Sequence, residues 1–441
     1  MRKLAFAAVL ALPLLLPSFP VTADVGFFSA KGMSSTLVNR MQFGFINAIN
    51  PAQVEGSLRH ARKTSFKISI DMGLVLTSPI NPAKLGMRYT AGDGSSRTKT
   101  LAPQRVTNLR AIPPDAVLKK RMVLFMDAMA KYPANLGTLF LADEPYLNGI
   151  SKSEMERVGR IAREELDARQ LQHVKLGVIF ASGMFDSEFA RMVDSRSGDY
   201  VSAIDNYHAA GNPANPGEFE SWKKIIKANR LATYDRAGNL YTGGGFPAGF
   251  EVFAFDFYLS TLLLDNLHEQ TLQWLAGRYP EYGCARFADQ PMSKIRSKLS
   301  FFHDGPVLQG AQHRTSDRTL LDAMYECRMG ALTAMLKKSG PAQAGFLMIS
   351  ESSNNGVLEF DATGKVETDQ PELLVGSRVL DEVRRAQVFY TRNAAVYSQG
   401  LLFFTYQNEY DASIKLHIGG AAAMPTVLQD IFDFAARHKR R

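Results

Sequence analysis

Acidic side chains stand at the carboxyl ends of several short strand-like runs in this chain. These ends carry Asp71, Asp143-Glu144, Asp205, Asp256 and Asp304. Carboxyl groups that gather in one place raise one another's pKa, because each negative charge opposes the next ionisation. Such a set can hold a proton on one carboxyl near neutral pH while another stays charged. That division of labour suits a general acid working beside a nucleophile or base.

The elements that would position these acids are eight strand-like runs, most of them separated by helical patterns. The runs span residues 43–49, 66–72, 136–142, 174–181, 201–207, 252–259, 298–303 and 345–350. Helix start signals lie between them, such as the Ser151-Lys-Ser-Glu154 capping box and Ser316-Asp317. Strands alternating with helices indicate parallel βαβ units, and eight units in one domain predict a single (β/α)8 TIM barrel.

Two stretches fall outside this alternation. Residues 77–112 are rich in Gly, Ser, Pro and Arg and predict a long loop over the barrel mouth. Residues 396–441 hold the apolar runs 401–406 and 414–418 and a final helix from Pro425, and we interpret them as a small C-terminal appendage. The predicted organisation is therefore a barrel over residues 24–395 with the appendage packed on it.

Strand alternation sorts the acids by face, because residues two apart point the same way. On the run 252–259, Phe253, Phe255 and Phe257 form a bulky row that should face the helices, so Asp256 should face the lumen. The same rule turns five further side chains inward, namely Lys67, Asp71, Glu144, Asp205 and Asp304. It turns Glu351 outward, because Glu351 follows Leu347 and Ile349.

An acid-lined barrel mouth is suited to glycosidic cleavage, in which one carboxyl protonates the leaving oxygen and another attacks the anomeric carbon or activates water. The candidate catalytic residues are Glu144, Asp256, Asp205 and Asp304. The candidate substrate-binding residues are Asp71, Lys67, Asp143, Tyr146, Tyr207, His208 and Tyr258. The expected ligand is a polysaccharide or oligosaccharide.

The segment Phe140-Leu-Ala-Asp-Glu-Pro-Tyr146 resembles the strand-end Asp-Glu-Pro or Asn-Glu-Pro signature of TIM-barrel glycoside hydrolases. The resemblance covers about seven residues and implies that Glu144 is the general acid. In the large retaining clan of these enzymes the acid ends strand four and a second Glu ends strand seven. Here Glu144 ends the third predicted run and Asp304 the seventh, so the resemblance leaves the partner of Glu144 open.

Other chemistries have weaker support. The eight histidines include no His-x-His or His-Glu-x-x-His spacing, and no Gly-x-Ser-x-Gly elbow occurs. We therefore expect neither a metal nor a cofactor. The alternatives left open are a noncatalytic glycan-binding barrel that serves exopolysaccharide assembly or export, and a polysaccharide lyase.

The N-terminus predicts export. Arg2 and Lys3 precede an apolar run over residues 4–16, and the small-residue site 21–23 precedes Asp24. We expect cleavage after residue 23, a periplasmic or secreted protein, no membrane span after cleavage and no nucleic-acid partner. In that setting Cys284 and Cys327 could form a disulfide or stay as buried thiols.

Overall fold

A computed structural model describes most of the chain. The described residues are 24–79, 86–90, 96–100, 110–145, 148, 150, 152–181, 246–257, 276–277, 279–287, 318–354, 372–411 and 416–438. Two predicted strands, 201–207 and 298–303, lie outside them, as do the candidate site residues Tyr146, Asp205, Tyr207, His208, Tyr258 and Asp304.

Eight of the described strands form one closed parallel barrel. In chain order these are β1 (Val25–Phe28), β2 (Phe43–Asn47), β3 (Lys67–Asp71), β8 (Leu136–Asp143), β9 (Lys175–Ala181), β10 (Val252–Asp256), β11 (Gly345–Glu351) and β12 (Gly400–Phe404). The predicted (β/α)8 fold is confirmed, and six of the predicted runs are barrel strands.

The helices follow the barrel strands along the chain. They are α1 (Ser35–Arg40), α2 (Pro51–Ala61), α3 (Gly73–Leu76), α4 (Asp115–Met129), α5 (Lys152–Asp167), α6 (Arg318–Ser339), α7 (Glu372–Asn393) and α8 (Pro425–His438). The start of α2 shows how the sequence sets a boundary, since the Asn50 side chain accepts from the Gln53 N–H and Pro51 occupies the first turn. Among the described helices, none is long and apolar enough to cross a membrane.

The barrel contains two strands that the sequence did not place there. β1 pairs with β12 and β2, and β12 pairs with β1 and β11, all in parallel. The run 401–406 was expected in a C-terminal appendage, whereas β12 is the eighth barrel strand and α8 is the helix that follows it. The physical reason is ladder pairing on both edges of β12, which a separate appendage would leave unsatisfied. Among the described strands after residue 400, β13 (Glu409–Asp411) and β14 (Leu416–Ile418) form a hairpin outside the barrel wall.

The corrected strand count changes which strand each acid ends. Because β1 precedes the first predicted run, β8 is the fourth barrel strand and β11 is the seventh. β9 pairs directly with β10, and β10 with β11, so this barrel closes without the predicted runs 201–207 and 298–303. Glu144 therefore follows strand four, and Glu351 ends strand seven.

Apolar side chains fill the barrel lumen below its mouth. The inward cluster consists of Phe28, Ala30, Phe45, Phe140, Ile179, Val252, Ala254, Leu347, Ile349 and Leu402. The rings of Phe28 and Phe404 stack with centroids 4.9 Å apart, and those of Phe45 and Phe140 are equally close. The lumen is therefore a packed core, and any carboxyl at the mouth sits on an apolar floor.

The region expected to be one long loop contains short strands. β4 (Ser78–Pro79) pairs with β7 (Arg110–Ala111), and β5 (Gly86–Thr90) pairs with β6 (Ser96–Thr100), both antiparallel. The Arg121 guanidinium on α4 donates to the carbonyls of Val75 and Thr77 and to the Ser78 hydroxyl. These hydrogen bonds fix the start of the segment 77–112 beside the barrel mouth.

A disulfide joins Cys284 to Cys327, with their Cα atoms 4.7 Å apart. Cys284 begins a short 3-10 helix (Cys284–Phe287), and Cys327 lies on α6. The bridge therefore closes a loop of 43 residues and ties this segment to the helix before β11.

Candidate active site

A cleft of about 540 Å³ opens at the carboxyl ends of the barrel strands. Its size falls within the range of small-molecule binding sites. The polar side chains in its wall come from five strand ends and their following loops, and they are Asn47, Asp71, Thr77, Arg110, Asp143, Glu144, Asn148, Asp256 and Glu409. Four predicted residues, Asp71, Asp143, Glu144 and Asp256, are thus brought together.

A larger cavity of about 850 Å³ lies at the opposite end of the strands. Lys67 lies there, exposed, and its Nζ donates to the Ala134 carbonyl at 2.6 Å. The candidate substrate-binding residue Lys67 is therefore away from the acid-lined cleft, because Lys67 begins β3 and Asp71 ends it. The acids make the smaller cavity the better candidate, because barrel active sites occupy the carboxyl ends of the strands.

Asp71 is the most enclosed acid of the cleft wall, with 7% of its surface exposed. Its Oδ1 accepts a hydrogen bond from the Gly73 N–H at 2.8 Å. A side chain at Gly73 would approach both Asp71 and the backbone of Asp143 within 3.3 Å, so glycine permits the close packing of α3 on β8 here. Burial, and then the charge of Asp143, raise the pKa of Asp71 to about 7.

Asp143 and Glu144 are turned into the cleft by a bulge in β8. The register against β9 shifts between Phe140 and Asp143, so Asp143 lies opposite Ile179, a lumen residue. Strict alternation predicted Glu144 alone on this face, whereas both carboxyls line the cleft.

Glu144 has an unusual backbone conformation for its residue type. Its φ is +44°, in the left-handed region that a non-glycine residue adopts at a cost. Hydrogen bonds hold the conformation from both sides, since the Glu144 N–H donates to the Ile179 carbonyl and the Glu144 carbonyl accepts from the Asn148 N–H. Backbone held in this region often accompanies functional sites, because it aims a side chain that regular structure would not.

Burial raises the pKa of Glu144, and the negative charge of Asp143 raises it further. Burial likewise raises the pKa of Asp143. Asp143 is exposed to the cleft by surface area, yet the concave wall surrounds it with protein, so partial desolvation and contact with water coexist. Glu144 is the carboxyl of this pair with two causes favouring its proton, which is the property required of a general acid.

Asp256 ends β10 and faces the cleft, as the Phe253, Phe255 and Phe257 row predicted. Burial raises its pKa well above the ordinary value, and the charges of Glu144, Asp143 and Glu351 add to the effect in that order. Carboxyls from the fourth, sixth and seventh strands therefore interact electrostatically across the mouth.

Glu351 was expected to face the helices, and this expectation is wrong. Leu347 and Ile349 belong to the lumen cluster, so β11 has the opposite facing. The bulky-row rule failed because the lower lumen is itself filled with large apolar residues. Phe346 and Met348 were the better indication of the facing of β11, because they pack in the core between barrel and helices.

The two oxygens of the Glu351 carboxyl differ in their hydrogen bonds. Oε1 accepts from the Ser352 N–H at 3.1 Å, the Ser353 N–H at 3.0 Å and the Ser353 hydroxyl at 2.6 Å. Oε2 is buried and has no hydrogen-bond partner in the part of the chain that the structure describes. Burial raises the pKa of Glu351 to about 8, while these donors oppose the rise by stabilising the anion.

The fold and this cleft define a (β/α)8 barrel with an acid-lined mouth. No family model matches the chain, and no curated protein sequence matches it. Similar solved structures include a glycoside hydrolase family 5 enzyme from Prevotella bryantii B14, at 8% identity over 94% of this chain and 96% of that one, with a TM-score of 0.40.

Two further similar structures are also glycoside hydrolases. Xylanase 10B from Thermotoga maritima is 8% identical, with 95% and 98% of the two chains covered and a TM-score of 0.43. The GH53 catalytic domain from Ignisphaera aggregans is 11% identical, with 95% and 98% covered and a TM-score of 0.38. Likeness at this level says nothing about the activity of this chain.

Proposed function

We propose that this protein is a glycoside hydrolase that cleaves a polysaccharide or oligosaccharide. The observation that carries the proposal is the position of two glutamates, with Glu144 after the fourth barrel strand and Glu351 at the end of the seventh. This is the strand pattern that the Asp-Glu-Pro resemblance implies for the retaining clan. The strands predicted from the sequence placed Glu144 after the third strand, which departs from that pattern. With β1 included, Glu144 follows the fourth strand and the pattern is met.

In the proposed reaction Glu144 donates its proton to the glycosidic oxygen as the bond to the anomeric carbon breaks. The Glu351 carboxylate attacks that carbon through Oε2 and forms a glycosyl ester. Water, deprotonated by Glu144, then releases the sugar and restores both carboxyls. Glu351 suits the nucleophilic role because three donors fix Oε1 and leave Oε2 bare.

Asp256 is the second candidate for the partner of Glu144. It lines the open cleft, whereas Glu351 is 1% exposed at the edge of the lumen. If Asp256 activated water instead, the reaction would invert the anomeric configuration. The strand position and the hydrogen bonds favour Glu351.

The noncatalytic alternative has less support. A binding barrel would be expected to have its mouth filled or its acids neutralised by cations. The described residues of this mouth instead line a cleft of about 540 Å³, and Arg110 is the one Lys or Arg among them. The acids with raised pKa also match the demands of acid catalysis better than those of passive binding.

The test begins with a screen of p-nitrophenyl glycosides and polysaccharides for released phenol or reducing ends. On the best polysaccharide we expect Glu144→Gln to lose roughly 10²- to 10⁴-fold in kcat/KM, the range for a general acid. The loss should be smaller on p-nitrophenyl glycosides, whose leaving group needs no proton. Glu351→Gln should be inactive on both, and Glu351→Ala should regain activity with azide as an external nucleophile.

Other outcomes would refute the proposal or change the partner assigned to Glu144. Full activity of Glu144→Gln would refute the proposal. Inactivity of Asp256→Asn together with an active Glu351→Gln would assign the partner role to Asp256, and the anomeric configuration of the first product, measured by NMR, would then be inverted.

We also propose that the protein works outside the cytoplasm, with residues 1–23 removed as a signal peptide. The Cys284–Cys327 bridge supports this location, because disulfides persist in oxidising compartments. N-terminal sequencing of the protein from periplasm and medium tests the proposal, and a mature chain that begins at Asp24 is expected.

A further inference from the structure

Arg110 is held in the cleft wall at several points. Its N–H donates to the Asn148 carbonyl at 2.9 Å, and β7 pairs it with Pro79 of β4. Its Nε donates to the Thr77 hydroxyl, which in turn donates to the Gly73 carbonyl at 2.6 Å. The guanidinium therefore has a fixed direction before any ligand arrives, which reduces the entropy lost on binding.

The rest of the Arg110 guanidinium is unused. Among the described residues it forms no ion pair within 4.0 Å, and no hydrogen bond runs from Nη1 or Nη2. Arginines elsewhere in this chain behave differently, since Arg163 and Arg169 each lie 2.7 Å from a carboxylate oxygen. Arg110 thus lines a cleft with several acids and has no ion pair with any acid among the described residues.

The acids around Arg110 leave room for an anion. Asp71, the carboxyl whose charge acts on Arg110, has its pKa raised to about 7 by burial, so it is largely protonated below neutral pH. Glu144 must also carry its proton in the proposed reaction. Asp143 and Asp256 face the same cleft and repel an anion when they are charged. Arg110 keeps its own charge throughout, since guanidinium does not lose its proton in proteins.

We propose that Arg110 binds an anionic group on the sugar, so that this cleft accepts an acidic glycan. The inference rests on the proposed function for the kind of ligand, and Arg110 supplies the charge selection. With Nε occupied by Thr77, the Nη1 and Nη2 groups remain as a planar pair that fits the two oxygens of a uronate carboxylate or of a sulfate ester.

The test measures binding by calorimetry to the full-length Glu144→Gln protein, in which turnover is slow. The probes are a panel of uronic-acid polysaccharides, each with its carboxyl-reduced form, and sulfated polysaccharides, each with its desulfated form. We expect binding to an acidic polymer that falls roughly 10- to 100-fold when its charge is removed, the range for charge-assisted hydrogen bonds. The two arms distinguish the carboxylate from the sulfate.

Variants then assign the effect to Arg110. Adding Arg110→Gln should cost the same factor on the acidic probe and leave the neutral counterpart unchanged, while Arg110→Lys should fall between because it keeps the charge and loses the planar pair. Arg160→Gln is the matched control, since it removes one positive charge from an exposed helix position outside the cleft lining.

Three results would overturn the inference. The first is equal or tighter binding of neutral glycans, and the second is binding of none of the acidic probes. The third is an equal loss from Arg110→Gln on charged and neutral probes, which would indicate a structural role. Failure of the proposed function has a different signature, because Glu144→Gln would then hydrolyse as fast as the unmodified protein whatever the charge of its ligand.

Discussion

The hydroxyl of Ser353 lies 2.6 Å from Oε1 of Glu351, while the hydroxyl of its neighbour Ser352 has no hydrogen-bond partner among the described residues. Both serines donate their backbone N–H to the same carboxylate oxygen. The two side chains therefore form a matched pair, because one supports the proposed nucleophile and the other does not.

Ser353→Ala is expected to raise the pKa of Glu351, because a donor that stabilises its anion is lost. Asp256 from β10 and Glu382 from α7 also act on this region, and both oppose ionisation. Since ionised Glu351 is the active form, the acidic limb of the kcat/KM profile should move to higher pH by about one pH unit. Ser352→Ala should leave it unchanged, and Ser353→Thr should restore it. An unchanged limb in Ser353→Ala would remove Ser353 from the positioning of Glu351.

The whole pH profile should lie above the ordinary carboxyl range. Activity requires ionised Glu351 and protonated Glu144, so it rises through the pKa of Glu351 and falls through that of Glu144. Burial raises both. We expect a bell-shaped profile with its maximum near neutral or alkaline pH, measured as kcat/KM in overlapping buffers. An optimum near pH 4 would contradict the raised pKa values.

Asp71 should make the protein less stable as pH rises. Its pKa in the folded protein is about 7 against an ordinary value of 3.8, so between these values the unfolded chain releases a proton that the folded chain keeps. The free energy of unfolding then falls across this window and stays low above it, with an upper bound of about 4 kcal/mol. Asp71→Asn, which can still accept from Gly73, should flatten the dependence in urea titrations at pH 4.5, 6 and 8. Exposed Asp167→Asn is the control and should follow the unmodified protein.

The backbone conformation that directs Glu144 into the cleft should lower the stability of the protein. Glycine tolerates the φ of +44° that glutamate adopts at a cost, so Glu144→Gly should be more stable than Glu144→Gln by about 1 kcal/mol, although both lose activity. Chemical denaturation at pH 7 compares the two directly. Equal stability would show that the backbone at this position is not strained by its side chain.

The disulfide should contribute to stability through its loop. Closing 43 residues corresponds to about 4 kcal/mol in the chain-entropy view. We expect reduction by dithiothreitol to lower the free energy of unfolding towards that of the Cys284→Ala/Cys327→Ala variant. That variant should itself be insensitive to the reductant. Equal free energies of unfolding for the oxidised protein, the reduced protein and the variant would mean that the bridged segment unfolds independently.

Local sequence patterns were sufficient to predict the class of fold and much of the cleft. Parallel barrel strands alternate between lumen and helix layer, so the Phe253, Phe255 and Phe257 row was sufficient to place Asp256 at the mouth, and the strand-end position was sufficient for Glu144 and Asp71. These inferences are local, because side-chain direction within one strand follows from backbone geometry alone.

The remaining features depend on strand pairing between distant segments, which local patterns do not contain. β1 is four apolar residues beside the predicted signal, and only its pairing with β12 shows that it belongs to the barrel. That pairing turns the third predicted run into strand four and makes Glu351 the end of strand seven. The facing of β11 required its neighbours too, since Leu347 and Ile349 suit the lumen and the helix layer equally well. Arg110 is distant in sequence from the acids and reaches them only because β7 pairs with β4, and such long-range contacts depend on the assembled chain rather than on any one segment of it.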